Sequence, residues 1–335
     1  MRATIKDVAK ETGLAMSTIS KYINGGSVKP QNKILIEKVI KRLGYIPNTD
    51  ARGLRANKTF TVGILVSDLE DQHIIDLITA LEGALREAGY FSIVCCHRDS
   101  LVQAQEAIQF LLSRQVDGVV LEGLLTKEEY TNPFRERNIP SVWLETIMES
   151  WSNDAVVSDG TWGSYQAVEK LVVSGHRKIA IINGPNDYFT AKERMRGYLR
   201  VFEDYMLPIR KEYIVESDYH YKGGYQSMEY LWNLADRPTA VFVSNYHMCM
   251  GVMSAVSKLH IKVPHELSIF TYDDMDFSYL VRPHLSAVKQ PFDEMAKEAA
   301  KVLVRRINGD YLNYPEMIRL KTEVKYRNSV SVLKE

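Results

Sequence analysis

Apolar and polar positions change their period along this chain. Over the first forty-five residues the apolar side chains recur at helical spacing. Val8 and Ala9 give one helix an apolar side. Thr4 caps it, with Asp7 three positions on as a capping-box partner, and Gly13 is placed to end it in a left-handed turn. Ile19 and Ile23, one turn apart, mark a second helix over about 16–24, stopped by Gly25 and Gly26. Pro30 suits the first turn of a third helix. There Ile36, Val39, Ile40 and Leu43 repeat at i, i+3, i+4 and i+7 along one buried face, and Gly44 closes it. Two helices joined by a tight turn and braced by a third predict a helix-turn-helix module. Residues 46–58 (IPNTDARGLRANK) interrupt the pattern; polar and basic, they read as a linker.

From Thr61 the period changes. TVGILVS is an apolar run short enough for a buried strand, and Ile74, Leu77, Ile78, Leu81 and Leu85 then mark a helix that Gly89 ends. Further strands are predicted at FSIVCC, VDGVVLEG, PSVWLE, IAIIN, AVFVS and LSIFTY. Helices fall at 102–113 and near 162–174, 190–205, 224–234 and 247–259. Strand–helix alternation over this length predicts parallel sheets covered by helices on both faces. So much alternation suggests two similar α/β lobes rather than one very large sheet.

Composition narrows the class. A chain of 335 residues implies two or three domains. No run of eighteen apolar residues occurs, so no membrane span is expected. The chain starts with a charged amphipathic helix rather than a signal-peptide core, which predicts a cytoplasmic protein. Lys+Arg and Asp+Glu both number 42, yet residues 1–60 hold twelve basic and four acidic residues, leaving 30 and 38 for the rest. A basic head on an acidic body is the electrostatic footprint of a nucleic-acid binder, although charge alone also fits a solvated basic domain. Cys95, Cys96 and Cys249 show no metal-binding spacing and read as core thiols. No metal site or cofactor is expected. There is no G-x-S-x-G and no P-loop, and His176 belongs to a Gly-His turn that reads as structural, so no enzyme is predicted.

Residue order sharpens this. TIKDVAKETGLAMSTISKYINGG, a helix ending LGYIPN, and ARGLRANKTFTVG resemble the N-terminus of the LacI/GalR family of bacterial transcription regulators, without a gap over about sixty-five residues. The resemblance continues more loosely to the C-terminus. It implies an all-α helix-turn-helix head (1–46), a hinge (47–58) and a two-lobed α/β body (59–335) resembling periplasmic sugar-binding proteins. Lobe one would hold about 61–159 plus 291–318, and lobe two about 160–290 plus 320–335. It also implies a homodimer, or a tetramer, on double-stranded operator DNA, controlled allosterically by a small-molecule effector in the cleft. The action implied is repression of a carbohydrate operon, released by a sugar or sugar phosphate. A nucleobase co-repressor or a protein co-regulator on the same fold is the alternative; a plain sugar-binding protein fits less well.

The resemblance also assigns residues. Met16, Ser17 and Lys21 fall on base-reading positions. A methionine can press on a thymine methyl, a serine can bond either kind of edge, and a lysine can reach guanine acceptors, with less discrimination than an arginine fork. Thr18, Ser20 and Asn24 fit phosphate contacts. Leu54 falls on a minor-groove wedge position, with Arg52 and Arg55 beside it for phosphates. Ala15 stands where a capping serine is usual, a loss of about 1 kcal/mol. In the body, Arg194, Asn245 and Asp273 fall on ligand-facing positions, and Gln290 follows as a cleft residue. The body departs from the family in three places, the first being Thr271 in place of a glycine. Tyr246 replaces an aspartate, and Asp71-Gln72-His73-Ile74 replaces an aromatic lid. His73 there either offers the effector a hydrogen bond or simply lies on the rim.

Overall fold

The computed structural model describes residues 3–23, 26–45, 58–98, 100–123, 128–147 and 152–333. The chain divides into two compact units, Met1–Thr59 and Phe60–Glu335.

The first unit contains α1 (Ile5–Thr12), α2 (Met16–Ile23) and α3 (Pro30–Leu43). The Asp7 carboxylate accepts from the Thr4 amide at 2.8 Å and from its hydroxyl at 2.7 Å, closing the start of α1. Gly13 and Gly44 end α1 and α3 with φ of 66° and 57°, a conformation that costs a residue with a Cβ and costs glycine little. Val8, Ile19, Ile36, Val39 and Tyr45 meet in one small core, one from each of the first two helices and the rest from α3 and its end. At about 1.5–3 kcal/mol per buried aliphatic side chain, these few residues hold the module together, helped by an Arg42–Glu11 ion pair between α3 and α1.

The second unit runs β1 (Thr61–Val66), α4 (Gln72–Glu87), β2 (Phe91–Cys96), α5 (Leu101–Ser113), β3 (Gly118–Glu122), α6 (Glu128–Arg135), β4 (Ser141–Leu144), β5 (Asp154–Ser158) and α7 (Gly160–Val173). It continues with β6 (Ile179–Asn183), α8 (Phe189–Asp204), β7 (Ile214–Glu216), α9 (Tyr221–Trp232), β8 (Ala240–Val243), α10 (Tyr246–Lys258) and β9 (Ser268–Tyr272). Last come α11 (Phe277–Leu280), β10 (Ser286–Lys289), α12 (Phe292–Ile307), β11 (Met317–Leu320) and β12 (Glu323–Lys325). Two six-stranded sheets result, ordered β11-β5-β4-β3-β1-β2 and β12-β10-β9-β8-β6-β7. Every pairing is parallel except β10 with β12. The chain passes between the sheets after β5, after β10 and after β11.

Each sheet is covered by helices on both faces, so β5, β6 and β9 are buried at every position, their few polar side chains included. Val62, Ile64, Val120, Val142 and Val156 pack with α4 and α12 on one face of the first sheet, while Leu65, Val119, Leu121 and Trp143 pack with α5 and α6 on the other. In the second sheet, α9 and α10 approach closely through glycine. A Cβ on Gly251 would sit 1.9 Å from the Tyr221 carbonyl oxygen, so no side chain fits there. That approach fixes the loops entering α9 and α10, both of which reach the cleft.

Candidate functional site

Parallel strands bring the loops after their C-terminal ends to one side of a sheet. In this body the two sets of loops face each other. Asp68, Asp71 and His73 follow β1, Glu122 ends β3, and Glu145 follows β4. From the other lobe, Arg194 lies on the helix after β6, Tyr219 follows β7, and Asn245 follows β8. All of these line a cavity of about 80 Å³, room for several water molecules. A second, more open cavity of about 600 Å³ lies beside Asp76, Lys289, Gln290, Phe292 and Lys321.

Arg194 is the central cation. It is 4% exposed. One terminal nitrogen donates to the Ser244 carbonyl at 2.5 Å, and the guanidinium lies over the Tyr272 ring at 3.9 Å from its centroid. Its buried Nε has no hydrogen-bond partner among the described residues. Burial disfavours its charge, but the surrounding tyrosines, Asp273 and Glu145 favour it more, so it remains a cation.

His73 sits in the first turn of α4, and its Nδ1 is 3.1 Å from Asp71 Oδ2. Asp71 caps the same helix, accepting from the His73 amide at 3.2 Å. Burial works against protonation of the imidazole. The Asp71 carboxylate, with Asp273 and Glu122 adding to it, outweighs burial and pushes the pKa up to about 10. The Asp71 contact thus favours a protonated His73 on the cleft wall, although no hydrogen bond from its Nδ1 is made with the described residues. Its ring also lies 6.3 Å from Phe292, measured between centroids.

Asn245 serves the fold with both ends of its amide. Its oxygen accepts from the Met248 amide at 2.9 Å and caps α10; its nitrogen donates to the Tyr219 carbonyl at 3.0 Å. Asp273 is 1% exposed and is not among the cavity's lining residues. Its carboxylate accepts from the Tyr246 amide at 3.2 Å and from Gln290 Nε2 at 2.5 Å. Gln290 lines the second cavity instead. The structure thus brings His73, Arg194 and Asn245 to the cleft and sets Asp273 and Gln290 apart from its lining.

Sequence reasoning passes over most of the acidic lining. Glu145 is buried, and the Ser158 amide and hydroxyl bond its two oxygens at 2.5 and 3.0 Å. Burial raises its pKa, against the hydrogen bonds from Ser158. Glu122 accepts from the Ser67 amide and hydroxyl, both at 3.3 Å, and burial raises it too. A signal exists in VVLE and VWLE, where a glutamate closes an apolar strand. Tyr188, Phe189 and Tyr219 supply aromatic surface from the second lobe. His176 is buried and bridges Thr239 Oγ1 and the Ser331 carbonyl at 2.9 and 3.2 Å, which ties the C-terminal segment to the sheet.

In the first unit, α2 offers Met16, Ser17 and Lys21 to solvent, with Thr18 and Ser20 half-buried beside them. Ile19 points inward and is fully buried. The Ala15 carbonyl accepts from the Thr18 amide at 2.9 Å, but alanine adds no side-chain cap. Asn24, Arg52, Leu54 and Arg55 lie outside the described residues.

A helix-turn-helix unit followed in sequence by a two-lobed body with a cleft defines a ligand-responsive DNA-binding regulator. Residues 4–48 match the bacterial regulatory proteins of the lacI family, and residues 168–330 match the periplasmic binding protein-like domain. Catabolite control protein A of Priestia megaterium is 30% identical over 331 residues, covering 98% of this chain and 99% of that protein. The HTH-type transcriptional repressor PurR of Actinobacillus pleuropneumoniae serotype 3 (strain JL03) is 30% identical, covering 98% of both. A transcriptional regulator CelR–cellobiose complex superposes with a TM-score of 0.76 at 27% identity, covering 98% of this chain and 100% of that one. The chain belongs to the LacI family of bacterial transcription regulators. No described helix is long and apolar enough to cross a membrane.

Proposed function

We propose that this protein is a cytoplasmic transcriptional repressor that binds a pseudo-palindromic operator as a homodimer and is released by a small polyhydroxylated effector of the sugar class. Arg194 carries the effector reading: a buried guanidinium in the cleft whose Nε lacks a partner among the described residues. Leaving such a donor unpaired is costly, and a hydroxyl-rich ligand satisfies it. The CelR relative, solved with cellobiose, supports the same class. Five carboxylates (Asp68, Asp71, Glu122, Glu145 and Asp218) line the cavity, and no lysine is among the lining residues described. A phosphorylated sugar meets repulsion there, which favours an unphosphorylated one. Asn245, on the cavity wall, holds Tyr219 and the α10 entry in place, and Asp273 and Gln290 support them from behind it.

In the head, Met16, Ser17 and Lys21 read base edges, and Thr18, Ser20 and Asn24 meet phosphates. In the hinge, Leu54 wedges into the minor groove between Arg52 and Arg55. One head reads a half-site, so two copies are needed. Phe91, Val94, Leu101, Val102 and Phe110 expose apolar surface along β2 and α5, which a homodimer can bury.

Selection of binding sites from a random DNA pool tests this reading. Wild type should enrich an inverted repeat. Lys21→Ala should flatten one column of each half-site, by about 1–3 kcal/mol of discrimination. Absence of any enriched repeat contradicts the operator reading, and an unchanged logo removes Lys21 from the base-reading set.

A further inference from the structure

The carboxylates of the cleft are not equally provided for. Asp71 has His73 beside it. Glu145 has both oxygens bonded by Ser158. Asp273, behind the wall, has Tyr246 and Gln290. Glu122 differs: both of its described side-chain hydrogen bonds fall on one oxygen, Oε2. Oε1 takes no hydrogen bond from the described residues. Asp68 is similar, with Oδ1 accepting from the Glu70 amide at 2.8 Å and no described bond to Oδ2. Asp68 works against charge on Glu122, while His73, held by Asp71, favours it. On the opposite wall, Asp218 accepts from the His220 amide and the Ser217 hydroxyl at 2.9 and 3.4 Å, again without a basic side chain.

The cleft therefore has two unmet requirements of opposite sign. On the second lobe, the buried Nε of Arg194 requires an acceptor. On the first lobe, Glu122 and Asp68 line the cavity with one oxygen each free of described hydrogen bonds, which a positive charge would pair. A bound metal ion does not meet the second requirement, because no three His, Cys, Asp or Glu side chains among the described residues are grouped to hold one. A phosphate adds to the repulsion. A neutral sugar meets the first requirement and leaves the second.

We propose that the effector is an amino sugar: its protonated amine is held by Glu122 and Asp68 on the first lobe, and its hydroxyls pair with Arg194 on the second. This rests on the sugar-class reading above and specifies the chemical kind of sugar. The amine adds a positive charge beside Glu122 and Asp68 to that of His73, which Asp71 holds. It also draws the Glu122 carboxyl, which burial raises, back toward its ionised form. One such ligand touches both lobes with groups of opposite demand, so a single molecule can bridge the cleft.

Calorimetry on the full chain with matched sugars tests the proposal. The sets are glucosamine, N-acetylglucosamine, glucose and glucose 6-phosphate; galactosamine with galactose; and the glucosamine β-1,4 dimer with cellobiose. In at least one set the free amine should bind about tenfold tighter than the parent sugar. N-acetylation removes the charge and should remove the preference without any change to the protein. Glu122→Gln should reduce the amine's advantage to within about twofold of the parent. If the parent or phosphorylated sugar binds as tightly as the amine in every set that binds, the amine proposal is overturned and the sugar-class reading stands. If no member of any set binds, both fall.

Discussion

His73, half-buried, and Arg194, buried, are two basic groups of the cleft, held in different ways. His73 has a carboxylate partner, and that partner gives it a pH signature. Its folded pKa is raised from 6.5 to about 10. The stabilisation it provides is therefore complete below about 6.5 and is lost as pH rises toward about 10. The melting temperature of wild type should exceed that of His73→Gln at pH 6 by at least about 2 °C, and the gap should shrink at pH 10. A gap independent of pH contradicts the ion pair. At this scale the sequence was legible where a residue sits in a long shared pattern, as Arg194 and Asn245 do. It was not legible for Glu122 and Glu145. A glutamate at a strand end resembles any solvated loop residue until the second lobe closes over it. The structure also gives Asp273 and Asn245 hydrogen-bond partners within the protein, which residue type alone could not reveal.

Elements show the same division. The strands β1 to β4, β6, β8 and β9 and the helices α4, α5 and α7 to α10 carry strong periods because both faces of each sheet are covered; β5, which opens on Asp154 and closes on Ser158, the three-residue β7, the proline-containing α6 and the long α12 went unread. Strands β10, β11 and β12 are four, four and three residues long, and two of them lie at sheet edges. Their pairing comes from contacts far away in sequence, which no local period reveals. Helix α12 shows how those contacts act. Arg306 is fully buried and grips Asp154 of β5 through Nε and a terminal nitrogen, at 2.8 and 2.9 Å. It also donates to the Asp310 and Leu312 carbonyls at 2.8 and 3.1 Å. Removing one member leaves an uncompensated buried charge. Arg306→Ala should cost about 3–5 kcal/mol of body stability in urea unfolding. A loss under about 1 kcal/mol shows that the pair does not pin the helix.

The whole molecule couples two kinds of recognition. The head carries surplus positive charge and offers α2 to solvent. The body is acidic, and its cleft is lined by charged and aromatic groups. For the first to answer the second, the ligand must bind the releasing and DNA-bound states of the body with different affinity. The central claim is that the cleft governs operator affinity, and Arg194 is the residue through which to test it. The measurement is operator affinity, with and without the tightest-binding sugar of the calorimetric sets, for wild type and Arg194→Ala. The account predicts that the sugar weakens wild-type operator binding by about 5–150-fold. It predicts that the variant binds operator normally without sugar and changes by less than about twofold with it. An equal sugar response in the variant, or none in wild type at saturating sugar, would contradict it.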